Sequence, residues 1–216
     1  MSDGRTTPTR MVPYSGLKTK PEGPARPLTA EQVTAIGVLL SVGENELLKP
    51  DFRTKLKARD WALFWVMIST MLRVSDIVRL RIGDVKDQDG MIRDEFTLRQ
   101  KKTGKMVKCI LSQKAKEALR AYFDVSENMG LGASLFGINV RRIQVLTKKW
   151  VNLINLDDTH LSPHSLRRTM PTKVYRETRN IRAAQVMLGH SSIVQTAQYL
   201  GIEEMEAIEI FRDHAI

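Results

Sequence analysis

The sequence predicts a mainly α-helical domain carrying one small antiparallel β-sheet. Three observations predict it. Apolar residues recur at steps of three and four through most of the chain, cap residues stand at several helix starts, and a single pair of β-prone runs flanks a lysine-rich turn. At 216 residues the chain suits one compact domain able to bury a core without disulfides or a metal.

Residues 1–28 hold five of the chain's eight prolines, with several Gly, Ser and Thr and a modest basic excess. Such a stretch buries too little apolar surface to offset the entropy of ordering, so a flexible tail is expected, with the domain over 29–216. Thr29 and Gln32 form a capping box that opens the first helix, and Gly43 is expected to end it. Asp51 is placed to cap a second helix running to about Leu72, with Trp61, Phe64, Trp65, Ile68 and Leu72 on one apolar face. Its tryptophans read as core. A short helix should follow from a Ser75 cap to about Arg81. Met91–Leu98 and Met106–Leu111 have strand character, and the polar turn Gln100 to Lys105 joins them as a hairpin. Helices are then expected at about 112–124, 139–154, 164–177, 181–188, 192–200 and 203–214. Ser162 is the cap of the third of these, Pro163 its first residue, and Gly189 the C′ position closing the fourth.

Lys and Arg number 34 against 24 Asp and Glu, a net charge of +10. That excess attracts polyanions, nucleic acid above all, although charge also serves solubility. Cys109 is the only cysteine, which excludes an intramolecular disulfide and a thiolate zinc site; its apolar neighbours read as a buried, inert thiol. The polar start from Met1 to Arg10 is no signal peptide, and the longest apolar stretch, Trp61 to Leu72, is too short to span a bilayer. A cytoplasmic protein with no membrane contact is expected.

Four clusters carry chemistry. Arg73, in Leu72-Arg73-Val74-Ser75-Asp76, follows an apolar helix face and should aim its guanidinium outward; taken alone it better fits a surface arginine near a helix end. Lys101, Lys102 and Lys105 surround Thr103-Gly104 at a hairpin tip, a shape that enters a DNA groove or simply makes a soluble turn. His164 and Arg167, three apart at a helix start, share one face, as a phosphate site requires; a packed histidine is the alternative. Last, Leu188-Gly189-His190 precedes Tyr199 by nine residues, so a glycine-ended helix, a turn histidine and a helical tyrosine can meet.

In order and spacing, Arg73, Lys102, His164-Ser165-Leu166-Arg167, Leu188-Gly189-His190 and Tyr199 resemble the active-site signature of the tyrosine recombinase (phage integrase) family. The resemblance covers roughly residues 29–216 and is most specific from His164 to Gly201, where Thr196 stands three residues ahead of the tyrosine. It implies the family's catalytic-domain fold and a site-specific DNA recombinase that cuts and rejoins through a 3′-phosphotyrosyl bond at Tyr199, with no metal, ATP or other cofactor. Arg73 and Arg167 would clamp the phosphorane's non-bridging oxygens, since a fixed cation must hold that charge. His164 and His190 would hydrogen-bond the same oxygens, Lys102 would protonate the departing 5′ oxygen, and Asp76 would support the site. The implied partners are double-stranded DNA bearing specific sites and further copies of the chain, a tetramer on DNA exchanging strands through a Holliday junction. Lys101, Lys105, Arg141, Arg142, Lys148 and Arg168 are the expected DNA-contacting cations.

Three departures stand out. Arg168-Thr169-Met170-Pro171 replaces the family's histidine and small apolar run, and Pro171 is expected to bend or shorten its helix. Met71 replaces a glycine. Residues 1–28 are too few for the family's core-binding domain, which resembles the minimal members such as fimbrial phase-switch invertases, and the basic tail is expected to lie along DNA as an arm. The acidic amphipathic segment after Tyr199 reads either as local packing or as docking on a neighbouring protomer. Two other functions fit parts of the pattern: a type IB topoisomerase using the same chemistry, and an accessory DNA-binding protein that has lost the reaction.

Overall fold

A computed structural model describes residues 25–41, 52–126, 130–157 and 159–201. In chain order these form α1 (Ala30–Leu40), α2 (Phe52–Thr70), α3 (Val74–Ile77), α4 (Ile82–Val85), β1 (Glu95–Arg99), β2 (Met106–Ile110), α5 (Gln113–Asp124), α6 (Val140–Asn152), α7 (Pro163–Thr178), α8 (Ile181–Leu188) and α9 (Ile193–Leu200). The expected class, mostly helical with one two-stranded antiparallel sheet, is what forms.

The Thr29 box is present. Its hydroxyl accepts from Gln32 N at 3.2 Å, and Thr29 N donates to Gln32 Oε1 at 3.0 Å. Gly43 and Asp51, expected to bound the first two helices, lie outside the described residues, as does the segment expected to be helical at 203–214. α2 is the central element, packed against α1, α5, α7 and β2. Phe64, Ile68 and Leu72 of its predicted face are buried, but so are Ala58, Ala62, Leu63, Val66 and Met67, because neighbours cover it on several sides. Phe64 anchors the core edge-to-face on Trp150 of α6, ring centroids 5.6 Å apart.

α2 stops at Thr70, two residues early, since Met71 takes a left-handed conformation with φ of 52°. That turn moves the start of α3 to an Arg73 N-cap instead of Ser75, and α3 ends at Ile77 instead of Arg81. α4, a single turn that the sequence pattern does not predict, is capped by Asp84 Oδ2, which accepts from Arg81 N at 2.7 Å.

β1 begins at Glu95, four residues later than expected. Arg93 N donates to the Val85 carbonyl and Ile92 bridges to Lys86, so residues 92–93 pair backwards and not with β2. The hairpin register runs from Glu95 opposite Ile110 to Arg99 opposite Met106. Ser112, Asn139, Ser162 and Asn180 cap α5 to α8 with side-chain oxygens, and Gly189 closes α8 in the left-handed region.

Pro163 occupies the first position of α7. The other proline, Pro171, neither shortens nor divides this helix, which runs unbroken to Thr178. Its missing N–H forgoes only the bond to the Arg167 carbonyl, and burial of Pro171 holds the turn together. Tyr175, Ala184 and Leu200 form a small second cluster among α7, α8 and α9, and Tyr199 packs against it. Among the described residues no helix is long and apolar enough to cross a membrane.

Candidate active site

The left-handed turn at Met71 presents Arg73 half-buried at the start of α3. Its Nη1 donates to Gln100 Oε1 at 2.8 Å, and the same oxygen accepts from Thr103 Oγ1 at 2.7 Å. Asp76 is wholly buried; its Oδ1 accepts from Lys101 N at 2.7 Å while Oδ2 has no partner. Arg73 and Asp76 thus tie the hairpin tip to α3 through Gln100 and the Lys101 backbone. Lys102 stands exposed on that tip, near enough for its charge to act on His164.

Arg167 is the hub. It is 3% exposed, and its guanidinium donates from Nη1 to the Met71 carbonyl and from Nη2 to the Leu188 carbonyl at 2.7 Å. One side chain therefore joins the turn before Arg73 to the turn before His190. Burial lowers its pKa to about 10, with Tyr199 opposing and Arg73 adding to the shift, so it stays charged at neutral pH.

His190 follows Gly189, whose φ of +65° and surroundings both require glycine. A Cβ there would stand 2.7 Å from Val107 Cγ1 and 2.9 Å from Gln100 Nε2. His190 Nδ1 lies 3.2 Å from the buried Thr196 Oγ1, which donates to the Ser192 carbonyl at 3.1 Å. Burial, then the charges of Arg167 and Arg73, brings the His190 pKa down to about 4. His164 is solvent-accessible on the first turn of α7. Desolvation by its neighbours lowers its pKa too, reinforced by Arg167, Arg73, Lys102 and Arg168. Both imidazoles are neutral at pH 7.

Tyr199 meets His190 edge-to-face, ring centroids 5.2 Å apart at 86°. Its other neighbour is Arg168, whose Cζ lies 5.1 Å from the ring centre. The hydroxyl is buried and makes no well-formed hydrogen bond among the described residues, although the Arg167 guanidinium lies close to it. Burial raises the Tyr199 pKa, and Arg167, Arg168 and Arg73 oppose that rise without cancelling it, so the phenol is protonated in this state.

The structure therefore gathers Arg73, Lys102, His164, Arg167, His190 and Tyr199 into one electrostatic neighbourhood, with Asp76 beneath it. Lys101 and Lys105 are exposed on the hairpin, and Arg141, Arg142 and Lys148 on α6. Lys148 shares with Val74, Val140, Gln144, Ser162 and His164 a recess of about 330 Å³ beside the site. Arg168 is different: expected among the DNA-contacting cations, it is as buried as Arg167 and is taken up by the Tyr199 ring and the Ala25 carbonyl. A larger recess of about 430 Å³, apolar and lined by Leu28, Val33, Trp65, Ile68 and Met170, contains none of the residues gathered here. Gln100 is a site residue that sequence reasoning does not single out. A signal for it exists, since Phe96, Leu98 and Gln100 share the inward face of a period-two strand and a glutamine there must find buried partners.

Comparison with known proteins places this geometry. Residues 38–205 match the model of the phage integrase family. The tyrosine recombinase XerC of Caldanaerobacter subterraneus is 28% identical over 181 residues, covering 80% of this chain and 49% of that protein. The XerC of Neisseria meningitidis (strain FAM18) is 32% identical over 155 residues, 68% of this chain and 48% of that protein. A probable integrase/recombinase of Bacillus subtilis, YoeC, is 31% identical over 150 residues, 68% of this chain and 79% of YoeC. The chain thus spans about half the length of the XerC relatives it matches. Among solved structures, the XerA recombinase superposes with a TM-score of 0.64 at 21% identity, over 98% of this chain and 67% of that one. The XerH recombinase bound to its difH substrate after cleavage gives 0.62 at 16%, over 86% and 52%. These two establish a shared fold.

Proposed function

Because the chain belongs to the phage integrase family, we propose that it is a site-specific recombinase that cleaves and rejoins double-stranded DNA through a 3′-phosphotyrosyl bond to Tyr199. The observation that carries this reading is the Arg167 anchor, which locks the Arg73 turn and the His190 turn together beside the Tyr199 ring.

The Tyr199 oxygen attacks a backbone phosphorus as its phenolic proton passes to the neutral imidazole of His190 beside it, the bond from phosphorus to the 5′ oxygen breaks, and that oxygen takes a proton from Lys102. Negative charge gathers on the non-bridging oxygens as five bonds form around phosphorus. Arg73 and Arg167 are placed to hold that charge, and the two carbonyls gripping Arg167 preorganise its guanidinium before DNA arrives. His164, neutral at pH 7, offers one N–H to the non-bridging oxygens. Thr196 Oγ1 gives its hydrogen to the Ser192 carbonyl, so the neutral His190 directs its N–H from Nδ1 to Thr196, leaving Nε2 as the acceptor for the Tyr199 proton; once protonated, Nε2 donates to the phosphate. The phosphotyrosyl ester retains the energy of the broken bond, so a free 5′ hydroxyl reverses the step and joins the strands without ATP or metal.

Since the Tyr199 hydroxyl is covered and protonated in the free protein, DNA binding has to uncover it and bring a phosphate beside Arg73 and Arg167. The solved relatives XerH, Tn1549 integrase and lambda integrase are bound to DNA, which supports the same partner here. Strand exchange would follow in a tetramer through a Holliday junction. The test is incubation with nicked suicide duplexes carrying candidate sites, read on denaturing gels. A DNA-linked protein band that Tyr199→Phe abolishes supports the reading; a band that survives Tyr199→Phe refutes it.

A further inference from the structure

We propose that Arg168 is a positioning residue for the nucleophile: from under the Tyr199 ring it holds the phenol in register with Arg167 and His190, and the Ala25 carbonyl in turn holds Arg168. The inference rests on the reading of Tyr199 as nucleophile.

Arg168 is 3% exposed, and burying a guanidinium is costly unless partners compensate. The partners it has are few and specific. Nη1 donates to the Ala25 carbonyl at 2.6 Å, Cζ lies 5.1 Å from the centre of the Tyr199 ring, and Nε has no hydrogen-bond partner among the described residues. Were the position needed only for packing, Met or Leu would fill it without desolvating a charge. What a buried cation adds is attraction to the negative face of an aromatic ring, stronger when water is excluded.

The nucleophile needs such a hold. Among the described residues Tyr199 packs against the small cluster of Tyr175, Ala184 and Leu200, outside the main core. Arg167 and Arg168, consecutive on α7, both reach Tyr199: the first lies near its hydroxyl and the guanidinium of the second lies over its ring. Gly201, just beyond, is left-handed with φ of +68°, and a Cβ there would stand 3.6 Å from Arg168 Nη2. The end of α9 therefore closes over the guanidinium.

Arg168 also ties Tyr199 to the chain ahead of α1. Residues 25–28 cross α7 as a strap: Arg26 N donates to the His160 carbonyl at 3.2 Å and Leu28 N to Thr169 Oγ1 at 3.2 Å. A shift of this strap changes the Arg168 anchor and, through it, the tyrosine.

The test uses the full chain with Arg168→Met and Arg168→Lys, and 3-fluorotyrosine placed at position 199 in each. Single-turnover formation of the covalent adduct is followed at saturating DNA across pH, with DNA affinity measured separately. Arg168→Met is expected to slow adduct formation about tenfold or more, leave DNA affinity nearly unchanged, and move both the rising limb of the pH–rate profile and the fluorine titration to higher pH. Arg168→Lys, keeping charge but losing the guanidinium that spans the Ala25 carbonyl and the ring, should restore the pH profile and only part of the rate. A rate, profile and fluorine resonance unchanged in Arg168→Met would overturn the proposal. Should the Met variant fail to fold, an unchanged rate and resonance in Arg168→Lys overturns it instead. If the wild type forms no adduct at all, the recombinase reading fails, while the fluorine signal still decides whether Arg168 controls Tyr199.

Discussion

Gly189→Ala is the substitution whose effect the structure defines most fully. Two independent penalties apply. The φ of +65° puts an L side chain in the left-handed region, which costs about 1–2 kcal/mol. The added methyl would also sit 2.7 Å from Val107 Cγ1 and 2.9 Å from Gln100 Nε2, and overpacking of this kind costs about 1–3 kcal/mol. The sum is about 2–5 kcal/mol, a fall in Tm of about 4–20 °C for a chain of this size. Gly104 provides the control: its φ is +67°, yet nothing lies within 4 Å of a Cβ there. Gly104→Ala should therefore lose only the backbone part, about 1–2 kcal/mol. Urea unfolding followed by circular dichroism measures both. Equal losses at the two positions would refute the claim that the α8 turn is packed directly on the hairpin.

Further outcomes follow from the same geometry. Arg167→Lys cannot bridge the Met71 and Leu188 carbonyls at once, so adduct formation on suicide substrates should fall about 10²-fold or more, the loss typical of a preorganised donor; near-wild-type rates would show that the bridge does not matter. Thr196→Val removes the partner of His190 Nδ1 and should slow cleavage about tenfold while the fold persists, checked by kinetics beside a melting curve. The His190 pKa of about 4 lies below the ordinary histidine value, so the unfolded chain binds the proton first, and stability falls as pH drops from about 6.5 through 4. His190→Asn should flatten that part of a Tm-versus-pH curve; parallel curves would contradict the shift. Replacing the exposed Arg141 and Arg142 by Gln should weaken DNA binding and reduce the slope of log affinity against log salt by about 0.9 for each phosphate no longer neutralised. An unchanged slope would remove the first turn of α6 from the interface.

Most of the fold is legible in the sequence because its signals are local. Thr29 with Gln32, Ser162 with Pro163, and Gly189 each announce a helix end by chemistry confined to a few residues. The elements whose bounds differ from expectation depend on distant partners. β1 starts at Glu95 because residues 92–93 bond back to Val85 and Lys86, which no strand propensity encodes. α4 is four residues long, too short for periodicity to register. The candidate site divides in the same way. Residue identity and spacing bring out Arg73, Lys102, His164, Arg167, His190 and Tyr199, whereas the burial of Arg168 beside the exposed His164 cannot be read from a helix in which both are polar. The rise in the Tyr199 pKa is also hidden, because burial outweighs the three arginines only once the ring's surroundings are known.

Tyr199, held beside Arg167 and His190, is the residue expected to form the covalent bond to DNA, and everything proposed for the site depends on it. Mass spectrometry of the trapped adduct after nuclease and protease digestion tests this most directly. A nucleotide joined through its 3′ phosphate to the peptide bearing Tyr199, at that residue, is the result predicted. A nucleotide on any other side chain, or one joined through a 5′ phosphate, would contradict it.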